Sequence, residues 1–249
     1  MPFTPAHIAA VLPVTARPRR WVVPAAWVVG SVVPDLVWFL FSTDAYNTAH
    51  SLRGVVTLDL AVGIVVVVAW RLIVLTPTRD VLPHVLGEHV PARGSLRPCE
   101  WPAAAVGVVA GALTHVLWDS FTHPGRWGSS HIPLLRDDIG PLPGSRWAQY
   151  ASGVFGVLVV AVFLVRRYRR HPGQPVMDRR LPPGLRWVVL AIVVGVPTLV
   201  GALAGVHAMP EGLRIATVSS VRHFSVALLA TVLLASCLWW LLPRRTAGS

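Results

Sequence analysis

The run Thr114-His115-Val116-Leu117-Trp118-Asp119-Ser120-Phe121-Thr122-His123 carries two imidazoles and a carboxylate at intervals of four. At about 100° per residue, successive members of such a series are offset by only about 40°, so in a helix His115, Asp119 and His123 project from one face. Imidazole nitrogens and a carboxylate on successive turns are a donor set that zinc and other first-row metals take. Thr114 and Thr122 can hydrogen-bond such groups from behind. Three other polar residues stand out against apolar surroundings: His7 in Phe3-Thr4-Pro5-Ala6-His7, Asp35 after Pro34, and His50 before Ser51.

The elements that must position them are membrane helices. The chain of 249 residues is 54% hydrophobic and 13% charged, where a soluble domain carries about a quarter charged residues. A bilayer core needs about 20 apolar residues in helical form. Six stretches meet this, approximately Trp21–Phe41, Gly54–Leu75, Trp101–Phe121, Trp147–Val165, Leu185–Val206 and Phe224–Leu242. Tryptophans (Trp21, Trp101, Trp147, Trp187, Trp239, Trp240) mark several ends, as an interfacial belt does. The expected fold is all-α and polytopic: about six transmembrane helices plus a short N-terminal half-helix before Arg17. Residues 1–165 form a membrane domain with the polar site, 166–186 a basic cytoplasmic loop, and 187–249 a C-terminal helix pair. Helices four to six carry almost no ionisable residue in their apolar runs and read as scaffold.

All 22 basic residues are arginine. With Arg17–Arg20 inside, the inner loops hold 16 of them and the outer loops only Arg53, Arg126, Arg136, Arg146, Arg214 and Arg222. The positive-inside rule then puts both the N-terminal arginine cluster and the C-terminus in the cytoplasm of a bacterial inner membrane. It also accounts for the net charge of +11 without a nucleic-acid partner; the partners expected are membrane lipids. Cys99 and Cys237 lack metal-type or disulfide spacing.

Depth brings the polar groups together. At about 1.5 Å per residue, His115 and Asp35 each lie roughly 21 Å above the inner end of their helices, and His50 sits at the outer surface. His7, Asp35, His50, His115, Asp119 and His123 can therefore meet in a cavity opening outward. Taken singly, each reads as an interfacial residue, and Asp35 as the stop of a helix kinked at Pro34. An ionised Asp at mid-membrane costs about 2.5–3.5 kcal/mol, and less near the surface. Six at compatible depths are a functional-site hypothesis. Asp59 either backs this site or pairs with Arg53. His84, His89, His171 and His207 fall in loops, and His131 with Arg136, Asp137 and Asp138 follows the third helix. No nucleophile elbow, phosphate loop or dinucleotide fingerprint is present.

The opening Met-Pro-Phe-Thr-Pro-Ala-His, Gly30-Ser31-Val32-Val33-Pro34-Asp35, His50-Ser51, and Gly111-Ala112-Leu113-Thr114-His115 with Trp118-Asp119-Ser120-Phe121-Thr122-His123 resemble an uncharacterised family of bacterial multi-pass membrane proteins. That family is similar to inner-membrane metal-dependent hydrolases. In residue order it is also similar to the zinc-dependent phospholipases C and related single-strand nucleases. The resemblance covers roughly residues 1–165. It implies metal ligands at His7, Asp35, His50, His115, Asp119 and His123. The soluble phospholipases use a free amino-terminal tryptophan and a further His/Glu pair; neither has a counterpart here, so one or two zinc or similar divalent ions are expected.

The function expected is a metal-dependent hydrolase acting on a phospholipid or other lipid-linked phosphoester at the outer interface. Asp35 or Asp119 would serve as ligand or general base, and Arg53 and Arg126 would hold phosphate as bidentate donors. Two other readings stay open. An ion- or proton-coupled transporter would need polar groups below the midplane. A metal-stabilised, non-catalytic membrane protein would fill every coordination position.

Overall fold

The computed structural model describes residues 4–16, 21–41, 43–92, 96–176 and 179–243. The opening Met1-Pro2-Phe3 and the arginines at 17, 19, 20, 93, 244 and 245 lie outside the described residues.

A 3-10 turn, Thr4–His7, leads into α1, Ile8–Thr15. There follow α2 (Pro24–Leu40), α3 (Thr43–Ala49), α4 (Leu52–Val81), α5 (Trp101–Thr122), α6 (Gly144–Arg170), α7 (Pro183–His207) and α8 (Leu213–Leu241). Two short strands, Asp138–Ile139 and Leu142–Pro143, pair antiparallel after α5. The fold is all-α as expected, and five helices are long and apolar enough to cross a membrane. The sequence predicts six. The difference is α2, which has only 17 residues. Pro24 occupies its first turn after an extended Val23, which sheds Trp21 and Val22 from the predicted span, and Phe41 leaves helical geometry at the other end. Other helices outrun their apolar windows: α6 continues through Arg166–Arg170 and α8 begins at Leu213. In α7 and α8 only 11% of the apolar window is buried, as is compatible with helices that face lipid.

The chain forms two compact units, Met1–Val67 with Leu96–Arg169, and Val68–Ser95 with Arg170–Ser249. In the first, α2 packs against α5 along Val23, Ala26, Ala104 and Val108, joined by Val67 of α4. Glycines set how close these helices come. A Cβ at Gly30 would run into the Val108 backbone, and one at Gly111 into the Trp27 carbonyl, while Gly107 receives the Trp27 ring. Gly107 and Gly111 are a small-xxx-small pair of the kind that lets membrane helices touch backbone to backbone. This approach brings Asp35, near the end of α2, to the level of His115 and Asp119 on α5.

In the second unit, Asp80 of α4 is fully buried. Its Oδ2 accepts from the Arg180 and Leu181 backbone N–H groups and from Trp239 Nε1, at 2.7, 3.1 and 2.7 Å. Its Oδ1 lies 3.2 Å from Arg186 Nε, and the Arg180 guanidinium lies 4.1 Å from the centre of the Trp239 ring. Arg79 donates to the Gln174 and Pro175 carbonyls.

Candidate metal centre

The buried positions of α5 are Ala104, Gly107, Val108, Gly111, Ala112, His115, Asp119 and Thr122. These are spaced by three and four, a single helical stripe. The lower part packs on α2, and the upper part presents the polar groups.

His115 is fully buried, and its Nδ1 lies 2.8 Å from the Ser31 carbonyl. His50 Nδ1 lies 3.0 Å from the Tyr46 carbonyl. A carbonyl only accepts, so each ring carries a proton on Nδ1, and in its neutral form each turns an Nε2 lone pair the other way. Asp35 Oδ2 accepts from Thr4 Oγ1 at 2.7 Å, which aims Oδ1 inward. The inward atoms converge. His50 Nε2 stands 3.8 Å from Asp35 Oδ1 and 3.5 Å from Asp119 Oδ2, and His115 Nε2 stands 3.6 and 3.5 Å from the same two oxygens. Both Nε2 atoms are buried and lack a hydrogen-bond partner among the described residues. Charge-assisted hydrogen bonds would be about 2.7–2.9 Å. The four observed His–Asp gaps are instead near the about 3.4 Å that separates neighbouring ligands around an ion with bonds of about 2.1 Å, and all four ligand atoms lie within 4.8 Å of one another. With both histidines neutral, the four inward atoms are all acceptors, a set that a cation would hold together. Asp35, His50, His115 and Asp119 thus form a buried group that could hold a metal ion.

The second oxygen of Asp119 serves a different edge. Oδ1 lies 3.5 Å from His7 Nε2 and 3.3 Å from His123 Nδ1. His7 stacks on His115 with ring centroids 3.8 Å apart. His123 is the most exposed member, its side chain 15% accessible. All six of the predicted donor residues are therefore brought together, on the Thr4–His7 turn, α2, the turn after α3, and α5.

The predicted arginines divide. Arg126 is placed at the rim: its guanidinium lies 5.5 Å from the centre of the Tyr46 ring, which lies tilted against His50 with centroids 4.0 Å apart. Burial raises the Tyr46 phenol above its ordinary value, with a hydrogen bond to Arg126 opposing it; the phenol is therefore protonated at neutral pH. Arg53 is exposed and lines a polar surface hollow with Asn47, Thr48, Ser51 and Thr57. Among the described residues no contact joins it to the buried group. His131 is also exposed, folded onto Trp127.

Several contributors were not singled out from sequence. Ser31 acts through its carbonyl and Tyr46 through carbonyl and ring, and neither role leaves a residue-type signal. Thr4 stands within the opening motif, where its hydroxyl carries no signal of a partner 31 residues away. Gln149 on α6 is fully buried, with Nε2 at 2.8 Å from His123 Nε2. It is polar but not ionisable, and a search for ionisable residues passes over it.

Asp59 lies in the π-helical stretch Val55–Asp59 of α4, fully buried, and neither carboxyl oxygen has a hydrogen-bond partner among the described residues. It does not pair with Arg53 but lies within electrostatic reach of His115. Such a group costs about 1–3 kcal/mol or more, and π-bulges collect at functional sites. Asp59→Leu is expected to raise the thermal midpoint of the metal-free protein in detergent. An unchanged or lower midpoint would mean that the carboxyl is stabilised where it stands.

The chain belongs to the family described as a domain of unknown function (DUF4184), whose model matches residues 1–238. The match runs beyond the residues on which the resemblance rested and takes in α7 and most of α8. No curated protein and no solved structure matches the chain, so the likeness to metal-dependent hydrolases and phospholipases C rests on the motif residues alone.

Proposed function

We propose that this protein is a membrane-embedded, metal-dependent hydrolase of a phospholipid or another lipid-linked phosphoester, with its site towards the outer face of a bacterial inner membrane. The observation that carries the reading is the division of Asp119 between two sets of donors. Oδ2 faces the four-group set with Asp35, His50 and His115, and Oδ1 faces His7 and His123. The first set offers four ligand atoms; the second offers three and leaves room for a further group. A closed position beside an open one, sharing a carboxylate, fits a pair of zinc or similar ions better than one.

Bound there, divalent ions would lower the pKa of water towards about 7 and polarise a phosphoryl oxygen. The protein's own groups do the rest. Thr4 holds Asp35 so that one oxygen stays on the centre. The Ser31 and Tyr46 carbonyls keep His115 and His50 in the tautomer that presents Nε2. Asp119 is the nearest carboxylate to accept a proton released at the open edge. At the rim, the Tyr46 phenol and Arg126 are hydrogen-bond donors for an anionic headgroup. Arg53 has only its exposure in favour of a similar role.

A metal-stabilised protein without catalysis is favoured by one feature, the completeness of the four-group set. Metal analysis of purified protein, paired with a phospholipid hydrolysis assay, separates the readings. Stoichiometric zinc with turnover supports the hydrolase. Stoichiometric metal with no turnover across headgroup classes favours the structural role, and protein free of metal overturns both.

A further inference from the structure

We infer that Gln149 decides whether His123 offers Asp119 a proton or the open position a lone pair, and that Arg146 holds Gln149 in the first state. The inference deepens the metal-dependent reading and rests on it. Arg146 and Gln149 are neighbours on the first turns of α6, and Arg146 NH1 donates to Gln149 Oε1 at 2.7 Å. A guanidinium has only donors, so the amide oxygen must face Arg146 and the amide NH2 must face His123. Gln149 therefore donates to His123 Nε2 at 2.8 Å. A neutral imidazole has one N–H, which is left on Nδ1. What surrounds Nδ1 agrees. Its nearest polar atoms are Asp119 Oδ1 at 3.3 Å, an acceptor not yet in hydrogen-bond geometry, and Thr122 Oγ1 at 3.4 Å, whose own hydrogen goes to the Trp118 carbonyl.

In this state His123 cannot ligate through Nδ1. For it to do so, its proton must sit on Nε2, and Nε2–H then needs an acceptor. Gln149 can supply one by turning its amide over, which points the NH2 at Arg146 and sets donor against donor. Arg146 must then leave. It is half-buried on the first turn of α6, and once released its donor fork is available to an anion such as a phosphate oxygen. Linkage makes the coupling reciprocal: drawing Arg146 away raises the competence of His123 as a ligand, and ligation by His123 frees Arg146. Arg146 and Gln149 are positioning residues in this scheme; neither touches the ion.

The test is zinc titration of the full-length protein in detergent, wild type against Arg146→Leu and Gln149→Glu, with His123→Ala as the control that removes the outer ligand. The leucine frees Gln149 to turn, and the glutamate accepts from Nε2–H directly. Each is expected to tighten the weaker zinc about ten- to a hundredfold, the usual size of a change behind a ligand, and to leave the tighter one unchanged. A merely structural role for either side chain would weaken binding or leave it unaltered. Ring 15N spectra of the zinc-free protein give a second readout, with the His123 proton on Nδ1 in wild type and on Nε2 in Gln149→Glu. Weaker or unchanged zinc binding in either variant, or a wild-type ring protonated on Nε2, overturns the inference. If wild type binds no zinc, the functional reading fails by itself, and the ring spectra still decide the tautomer.

Discussion

Asp119→Ala is expected to strip zinc from the purified protein altogether, whereas His7→Ala removes only the more weakly held ion. Asp119 is the one residue whose two carboxyl oxygens face both donor sets, at 3.5 Å from His50 and His115 on one side and 3.5 and 3.3 Å from His7 and His123 on the other. Deleting it takes a charged ligand from each position and leaves the bare Nε2 atoms of two buried histidines facing only Asp35. His115→Ala takes a ligand from the closed position, removes the ring on which His7 stacks and releases the Ser31 carbonyl, so it should lower zinc content and thermal stability together. Hydrolysis, if present in wild type, is expected to vanish in Asp119→Ala and to fall steeply in His7→Ala. The measurement is elemental analysis after dialysis against a weak chelator. Unchanged stoichiometry in Asp119→Ala would refute the shared-carboxylate arrangement.

Asp80→Ala is expected to destabilise the protein by about 3–5 kcal/mol, the usual result of removing one side of a buried charge network. Asp80 is fully buried and gathers two backbone N–H groups, the Trp239 indole and the Arg186 guanidinium. Alanine would leave the two backbone N–H groups and the indole without their acceptor and the Arg186 charge without its counterion. Asp80→Asn keeps one oxygen but no charge, and is expected to fall between the two. Thermal unfolding in detergent reads the effect, with the zinc content of the surviving folded fraction as the control that distinguishes lost stability from a lost site. A melting point for Asp80→Ala within a degree or two of wild type would show that this network carries little of the stability.

Much of the molecule is legible in the sequence because the relevant signals are local. Length and hydropathy of the apolar runs give the helices, since lipid cannot satisfy an open backbone. The spacing of His115, Asp119 and His123 gives one face, since 3.6 residues make a turn. Rise per residue then puts Asp35 and His7 at matching depth. What hydropathy leaves out is also physical. The shortness of α2 follows from where Pro24 and Phe41 break the backbone, and the exposure of the Arg53 side chain follows from its place on the helix surface.

Other features needed the tertiary structure because they depend on which groups of distant segments meet. The close approach of α2 and α5 over Gly30, Gly107 and Gly111 is a fit between two helices. The tautomer of His115 is set by the Ser31 carbonyl, 84 positions away, and every residue has a carbonyl. Gln149 and Asp80 gain their roles only from partners 26 and up to 159 positions away. By itself, the sequence determined that helices in a membrane carry a set of histidines and aspartates at one depth. Only the tertiary structure decided which atoms of that set face each other, because atom-level orientation is imposed by neighbours that no local spacing encodes.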